Sequence, residues 1–225
     1  MPVYLLGDEL IFPPVDGAED GLVAVGGDLS PQRLLLAYRS GIFPWYEEGQ
    51  PILWHSPDPR WVITPQSFHV SRRLRRQLRN DEFEVSCDRA FADVVRRCSA
   101  VPRPGQDGTW IHDEMVEGYQ RLFELGAAHS VEVWKGERLV GGLYGLAIGG
   151  IFCGESMFSE VDDASKVGFV TLAERLFLNQ FEIIDCQVQT AHLERFGARP
   201  LPRSEFVEAL VRLAPKRPSE QLWAW

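Results

Sequence analysis

With 225 residues, of which 45% are hydrophobic, the chain can form one large domain or a small domain joined to a larger one, with a buried core. The formal charge of −9 excludes a protein that coats nucleic acid by general positive charge, and no run approaches the roughly 18 apolar residues that a bilayer span requires. The opening Met1-Pro2-Val3-Tyr4 lacks a basic leader, and Cys87, Cys98, Cys153 and Cys186 have no CxxC spacing. A soluble cytoplasmic protein with reduced thiols, no disulfide framework and no metal site is therefore expected.

Residues 1–62 are dense in glycine, proline and turns and are expected to form a small N-terminal αβ domain. Within it Ser30 suits an N-cap, Pro31 suits the first position of a helix running to Arg39, and Gly41 suits its end. Ile42-Phe43-Pro44-Trp45-Tyr46 and the stretch from Ile52 to Trp61 hold too much proline for a helix or a central strand, so an ordered aromatic loop is predicted. Aromatics so placed suit stacking on a ligand, although packing beneath the loop is the commoner explanation of any one of them.

A larger domain, 63–225, is predicted to follow. It begins with a short strand, a basic helix near 71–79, a strand from Glu82 to Cys87 and a helix from Asp88 to Cys98. A loop from Ala100 to Gly108 leads to a helix from Asp113 to Leu125, stopped by Gly126. A meander then runs through Ser130–Trp134, Arg138–Ala147 and Ile151–Ser156, with turns at Gly136 and at Gly149-Gly150. The next helix, from about Ser165 to Gln180, carries Phe169, Leu172, Leu176 and Phe177 on one face and leads into a strand within Phe181–Val188. Short helices from Thr190 to Phe196 and Ser204 to Leu213 finish the chain. This order predicts an α+β (mixed αβ) fold with a central, mostly antiparallel sheet.

The segment from Ser71 to Arg79 packs Arg72, Arg73, Arg75, Arg76 and Arg79 into one short helix. On an acidic protein such a helix can hold phosphates while the rest of the surface discourages non-specific coating; a solvated helix face is the other reading.

Two strands carry acids where apolar residues are expected. Glu155 lies in Ile151-Phe152-Cys153-Gly154-Glu155-Ser156-Met157-Phe158-Ser159, and Asp185 and Gln187 lie on one face of Ile183–Val188. A buried carboxylate needs a partner, a cavity or a ligand, so one mixed apolar and acidic pocket at mid-sheet is expected. Strict alternation puts Phe152 and Glu155 on opposite faces, and a bulge at Gly154 would bring both to the site.

No GxSxG, HExxH, Walker loop or GxGxxG pattern is present, and His55, His69, His112, His129 and His192 are scattered and expected to be structural. An enzyme without an obvious covalent nucleophile must work by positioning and polar stabilisation, which suits an already activated ester or thioester attacked by an amine. An acetyl-CoA-dependent acetyltransferase is disfavoured, because Glu160, Asp162 and Asp163 stand where a pyrophosphate would bind. A tRNA-dependent transferase acting on cell-wall precursors and a non-catalytic tRNA-binding module are further alternatives.

Gly26-Gly27-Asp28-Leu29-Ser30, Gly41-Ile42-Phe43-Pro44-Trp45, Trp54-His55-Ser56-Pro57-Asp58-Pro59-Arg60, Gly108-Thr109-Trp110-Ile111, Phe152–Ser159 and Ile184-Asp185-Cys186-Gln187-Val188 resemble the bacterial leucyl/phenylalanyl-tRNA–protein transferases. The resemblance runs from about residue 22 to beyond Gly197. It implies transfer of Leu or Phe from aminoacyl-tRNA to proteins with N-terminal Arg or Lys, creating a degradation signal, by a larger domain that resembles the GNAT acyltransferases. Neither ATP nor another cofactor is implied, since the aminoacyl ester already stores the energy. No membrane partner is expected, and the chain is expected to be a monomer.

The resemblance also assigns residues. The pocket for the Leu or Phe side chain falls on Leu143, Phe152, Met157, Phe169, Leu172 and Ile184. The 3′-terminal adenosine would stack on Trp45 and Trp110 with Tyr38 and Tyr119 nearby, and Arg72, Arg73, Arg75 and Arg76 would hold the acceptor stem through phosphates. Asp185, Gln187 and Glu155 are the candidate catalytic residues, with Gln187 orienting through hydrogen bonds because an amide has almost no basicity.

Overall fold

The computed structural model describes residues 3–80, 82–101 and 110–225. Most of the predicted loop from Ala100 to Gly108 therefore lies outside the described residues. In chain order the elements are β1 (Tyr4–Leu6), β2 (Leu22–Gly26), α1 (Pro31–Arg39), β3 (Phe43–Pro44), β4 (Leu53–His55), β5 (Arg60–Ile63), α2 (Arg72–Gln77), β6 (Glu84–Cys87) and α3 (Phe91–Ser99). They continue as α4 (Asp113–Glu124), β7 (Ala128–Lys135), β8 (Arg138–Ile148), β9 (Ile151–Ser159), α5 (Ala164–Leu178), β10 (Ile183–Gln187), α6 (Ala191–Glu194), β11 (Arg199–Leu201) and α7 (Arg203–Leu213).

Local chemistry sets several boundaries. The Ser30 hydroxyl accepts from the Arg33 amide, and Pro31 opens α1. At the other end Gly41, at φ 77°, turns the chain away, with the Gly41 amide donating to Tyr38 and the Ile42 amide to Ala37. The aromatic run is not wholly irregular as expected, since it contributes the short strands β3 and β4. Proline is tolerated there because β3 is the edge of a four-stranded sheet ordered β1-β2-β4-β3, where a missing amide costs no ladder bond.

The second sheet has seven strands in the order β11-β5-β10-β9-β8-β7-β6. Only the pair β9 and β10 is parallel; the other neighbours are antiparallel, as the α+β expectation requires. β5 spans the expected boundary after residue 62 and belongs to this larger sheet. One face of the sheet packs on α5, whose Phe169, Leu172 and Leu176 meet Leu143, Phe152 and Ile184 in one apolar cluster. The other face is covered by α1, α3, α4 and α7 through Leu34, Val94, Met115 and Phe206, which cluster with Tyr144 and Cys153. Among the described residues no helix is long and apolar enough to cross a membrane.

Candidate active site

The site begins where β9 and β10 part. Their parallel pairing ends at Asp185 opposite Cys153, although β9 continues to Ser159. At this level both strands are irregular. On β9, Tyr144 of β8 pairs with Ser156 and Gly145 with Gly154, so Glu155 is the extra residue of a bulge. On β10 the register with β5 shifts between Asp185 and Gln187, and Gln187 takes the left-handed conformation at φ 63°. Two bulges side by side open the sheet between the strands.

The β9 bulge also decides which side chains share a face. Phe152 and Met157 are five positions apart and would oppose each other in a regular strand. The extra residue restores their parity, and both line a cavity of about 570 Å³ together with Leu143, Phe169 and Ile184. Gly145 is required beneath it, because a Cβ there would lie 2.2 Å from the Cys153 carbonyl oxygen and 2.7 Å from the Phe152 ring. Glu155 lines the same cavity, as the bulge expectation required.

At its polar end the cavity meets a hydrogen-bonded chain. The Tyr119 hydroxyl donates to Glu155 Oε2 at 2.5 Å, and Gln187 Nε2 donates to Glu155 Oε1 at 2.8 Å. Tyr38 and Tyr119 share a bond of 2.7 Å between their hydroxyls. Burial pushes the Glu155 carboxyl up to about 7, with the Asp185 charge acting the same way and the Tyr119 and Gln187 hydrogen bonds acting against it. Glu155 can therefore gain or lose a proton near neutrality.

Asp185 is arranged differently. It is wholly buried, and Arg60 clasps it with Nε at 2.8 Å from Oδ1 and Nη2 at 2.7 Å from Oδ2. Its Oδ1 also accepts the Gln187 amide at 2.9 Å. The carboxylate that alternation places at the site is thus committed to a guanidinium and a backbone amide, whereas Glu155 keeps two neutral donors.

Trp45 and Trp110 also line the cavity, and Trp45 is 40% exposed with an edge-on contact to His55. Tyr38 and Tyr119, expected near the adenosine, are 1% and 0% exposed and do not line the cavity; their hydroxyls form the chain to Glu155 instead. The signal was in the sequence, because Met115, Tyr119 and Leu122 follow helical spacing and so face the core. Leu172 is a second correction; it lies in the core one turn beyond Phe169 and does not line the cavity. His192, expected to be structural, lines the wall, where burial, with Lys166 and Arg195 nearby, holds its imidazole below the ordinary range.

Arg60 was not among the expected site residues. Its trace in the sequence is a cation directly before Trp61-Val62-Ile63, a third charge out of place in an apolar strand and the counterpart of Asp185. On α2, Arg72, Arg73, Arg75 and Arg76 are all exposed around the buried Leu74. Arg73 pairs with Asp163 at 3.1 Å, and the other three form no ion pair among the described residues.

A family model described as leucyl/phenylalanyl-tRNA protein transferase matches residues 62–211, and one described as the N-terminal domain of the same enzyme matches residues 27–58. A leucyl/phenylalanyl-tRNA–protein transferase of Anaeromyxobacter sp. (strain Fw109-5) is 59% identical over 213 residues, covering 94% of this chain and 91% of the relative. One from Stutzerimonas stutzeri (strain A1501) is 56% identical over 226 residues, covering 99% of each. One from Myxococcus xanthus (strain DK1622) is 57% identical over 224 residues, covering 98% of this chain and 95% of the relative.

Proposed function

The chain belongs to the leucyl/phenylalanyl-tRNA–protein transferase family, and from that premise we propose how its cavity serves the reaction. It is an aminoacyltransferase that moves Leu or Phe from aminoacyl-tRNA to a protein. In our reading the donor side chain enters the apolar end, between Leu143, Phe152, Met157, Phe169 and Ile184, while Trp45 and Trp110 stack on the terminal adenosine. An apolar pocket rejects polar and charged side chains by leaving them desolvated, and Met157 adapts to either Leu or Phe. The acceptor is a protein with N-terminal Arg or Lys, whose cationic end is drawn to the acidic end of the cavity, and the product carries a degradation signal. The natural setting is the cytoplasm, where the donor is made.

Peptide-bond formation joins the acceptor nitrogen to the ester carbonyl carbon and breaks the bond from that carbon to the ribose oxygen. The amine gives up one proton and the ribose oxygen gains one. Glu155, poised near neutrality, takes the proton from the amine and returns it to the leaving oxygen. Gln187 gives one amide hydrogen to Glu155 and keeps its carboxamide oxygen for the incoming amine. Asp185 acts from behind by holding the Gln187 backbone. The observation that carries this reading is a buried carboxylate held by Tyr119 and Gln187 in the same cavity as the apolar wall of Leu143, Phe152, Met157, Phe169 and Ile184.

The test is incubation with labelled Leu-tRNA or Phe-tRNA and a peptide beginning with Arg, without CoA or ATP. Labelled peptide is expected, with far less from a peptide beginning with Asp. Equal transfer to both would remove the acceptor assignment, and no transfer would remove the reading as a whole.

The basic helix is the proposed phosphate-binding element. Replacing Arg72, Arg75 and Arg76 by Ala is expected to weaken tRNA binding and to reduce its log–log salt slope by about 1 for each phosphate no longer neutralised. Transfer from a short aminoacyl-adenosine should be preserved. Equal losses with both donors would make the helix structural.

A further inference from the structure

Resting on the reading that Glu155 and Gln187 handle the acceptor amine, we infer that Arg60 is a positioning residue for transfer, acting through Asp185 on the backbone of Gln187. The geometry leaves little freedom along this path. Arg60 is 1% exposed, and its guanidinium lies between two aromatic rings, 4.8 Å from the centroid of Phe43 and 4.7 Å from that of Phe206. Its Nη1 donates to the Gly41 carbonyl at 3.1 Å, while Nε and Nη2 take one Asp185 oxygen each. A fork held at three points fixes the plane of the carboxylate, which lysine could not do.

That plane matters because Asp185 Oδ1 also receives the Gln187 amide. Gln187 sits in the left-handed region, an uncommon conformation for a residue with a side chain, and the bond to Asp185 offsets that strain. Releasing it would let the backbone relax and carry the carboxamide away from Glu155, 2.8 Å distant. Arg60 also ties this point to the donor platform, since Phe43, stacked on the guanidinium, precedes Trp45 by two residues. One buried side chain thus relates the stacking surface to the reacting end.

Removing one partner leaves a buried charge alone and endangers folding, so the informative variants change both. Arg60→Gln with Asp185→Asn keeps a hydrogen-bonded pair and an acceptor for the Gln187 amide. Arg60→Met with Asp185→Leu keeps the volume and removes the acceptor. Thermal unfolding, donor affinity and single-turnover transfer are measured on each, with Gln187→Ala as a reference. The polar pair should retain transfer within about tenfold of wild type, and the apolar pair should fold and bind donor but lose roughly 100-fold or more in rate. Near-normal transfer by the folded apolar pair would overturn the inference and leave the ion pair a role in stability alone. Should that pair fail to fold, Arg60→Lys decides: a rate loss of about tenfold with unchanged KM for the donor supports positioning, and an unchanged rate overturns it. Full activity in Gln187→Ala would instead refute the underlying reading of the amine site.

Discussion

Glu155→Gln is expected to slow peptide-bond formation by roughly 10²–10⁴-fold while donor affinity stays near that of the parent protein, because the change removes a proton acceptor and almost no volume. The pH dependence separates this from general damage. In the parent protein the single-turnover rate should rise as the Glu155 carboxyl ionises near 7, and the variant should lack that limb. The groups facing Glu155 are Tyr38, Tyr119, Asp185 and Cys153, with Arg60 behind Asp185, and the substitution leaves all of them in place.

The same substitution should raise stability. A carboxyl whose folded value lies near 7 instead of 4.5 holds its proton in the folded state after the unfolded chain has released it. Stability therefore falls as pH rises from about 4.5 to about 7, and the loss, about 3 kcal/mol at most, persists above that window. Glutamine has no such loss. Urea unfolding at pH 5 and pH 8 should show the variant gaining on the parent at the higher pH. An unaltered rate profile would pass the proton role to another group, and equal pH dependence of unfolding would contradict the burial of an ionising carboxyl.

Met157→Asp is expected to abolish transfer of both Leu and Phe by putting a charge into the apolar end of the cavity, where no described cation faces it. Leu143→Ala, at a residue 3% exposed, should cost about 2–5 kcal/mol and raise the preference for Phe by enlarging the same space. Competition between Leu-tRNA and Phe-tRNA on folded protein checks both. Transfer by a folded Met157→Asp variant would move the side-chain pocket elsewhere, and an unchanged Phe-to-Leu ratio would remove Leu143 from its wall.

Much of this molecule is legible one segment at a time, because the forces involved are local. Ser30, Pro31 and Gly41 delimit α1 through amides only a few positions away, and the spacing of Phe169, Leu172 and Leu176 orients α5. The meander from β7 to β9 follows from alternating apolar runs separated by glycine turns. Sequence alone also shows that Glu155 and Asp185 are charges out of place.

What surrounds each charge is decided by partners far away along the chain. Asp185 and Arg60 are 125 positions apart, and Glu155 and Tyr119 are 36 apart. No local pattern tells which of two buried acids meets a guanidinium and which meets a phenol, yet that difference pins one in an ion pair and underlies the proton role proposed for the other. The face shared by Phe152 and Met157 depends likewise on a single extra residue, which strand periodicity cannot place until β8 is beside it. Leu172 shows the same limit from the other side: helical spacing sends it inward with Phe169, and only the opening between β9 and β10 decides which of them meets the cavity.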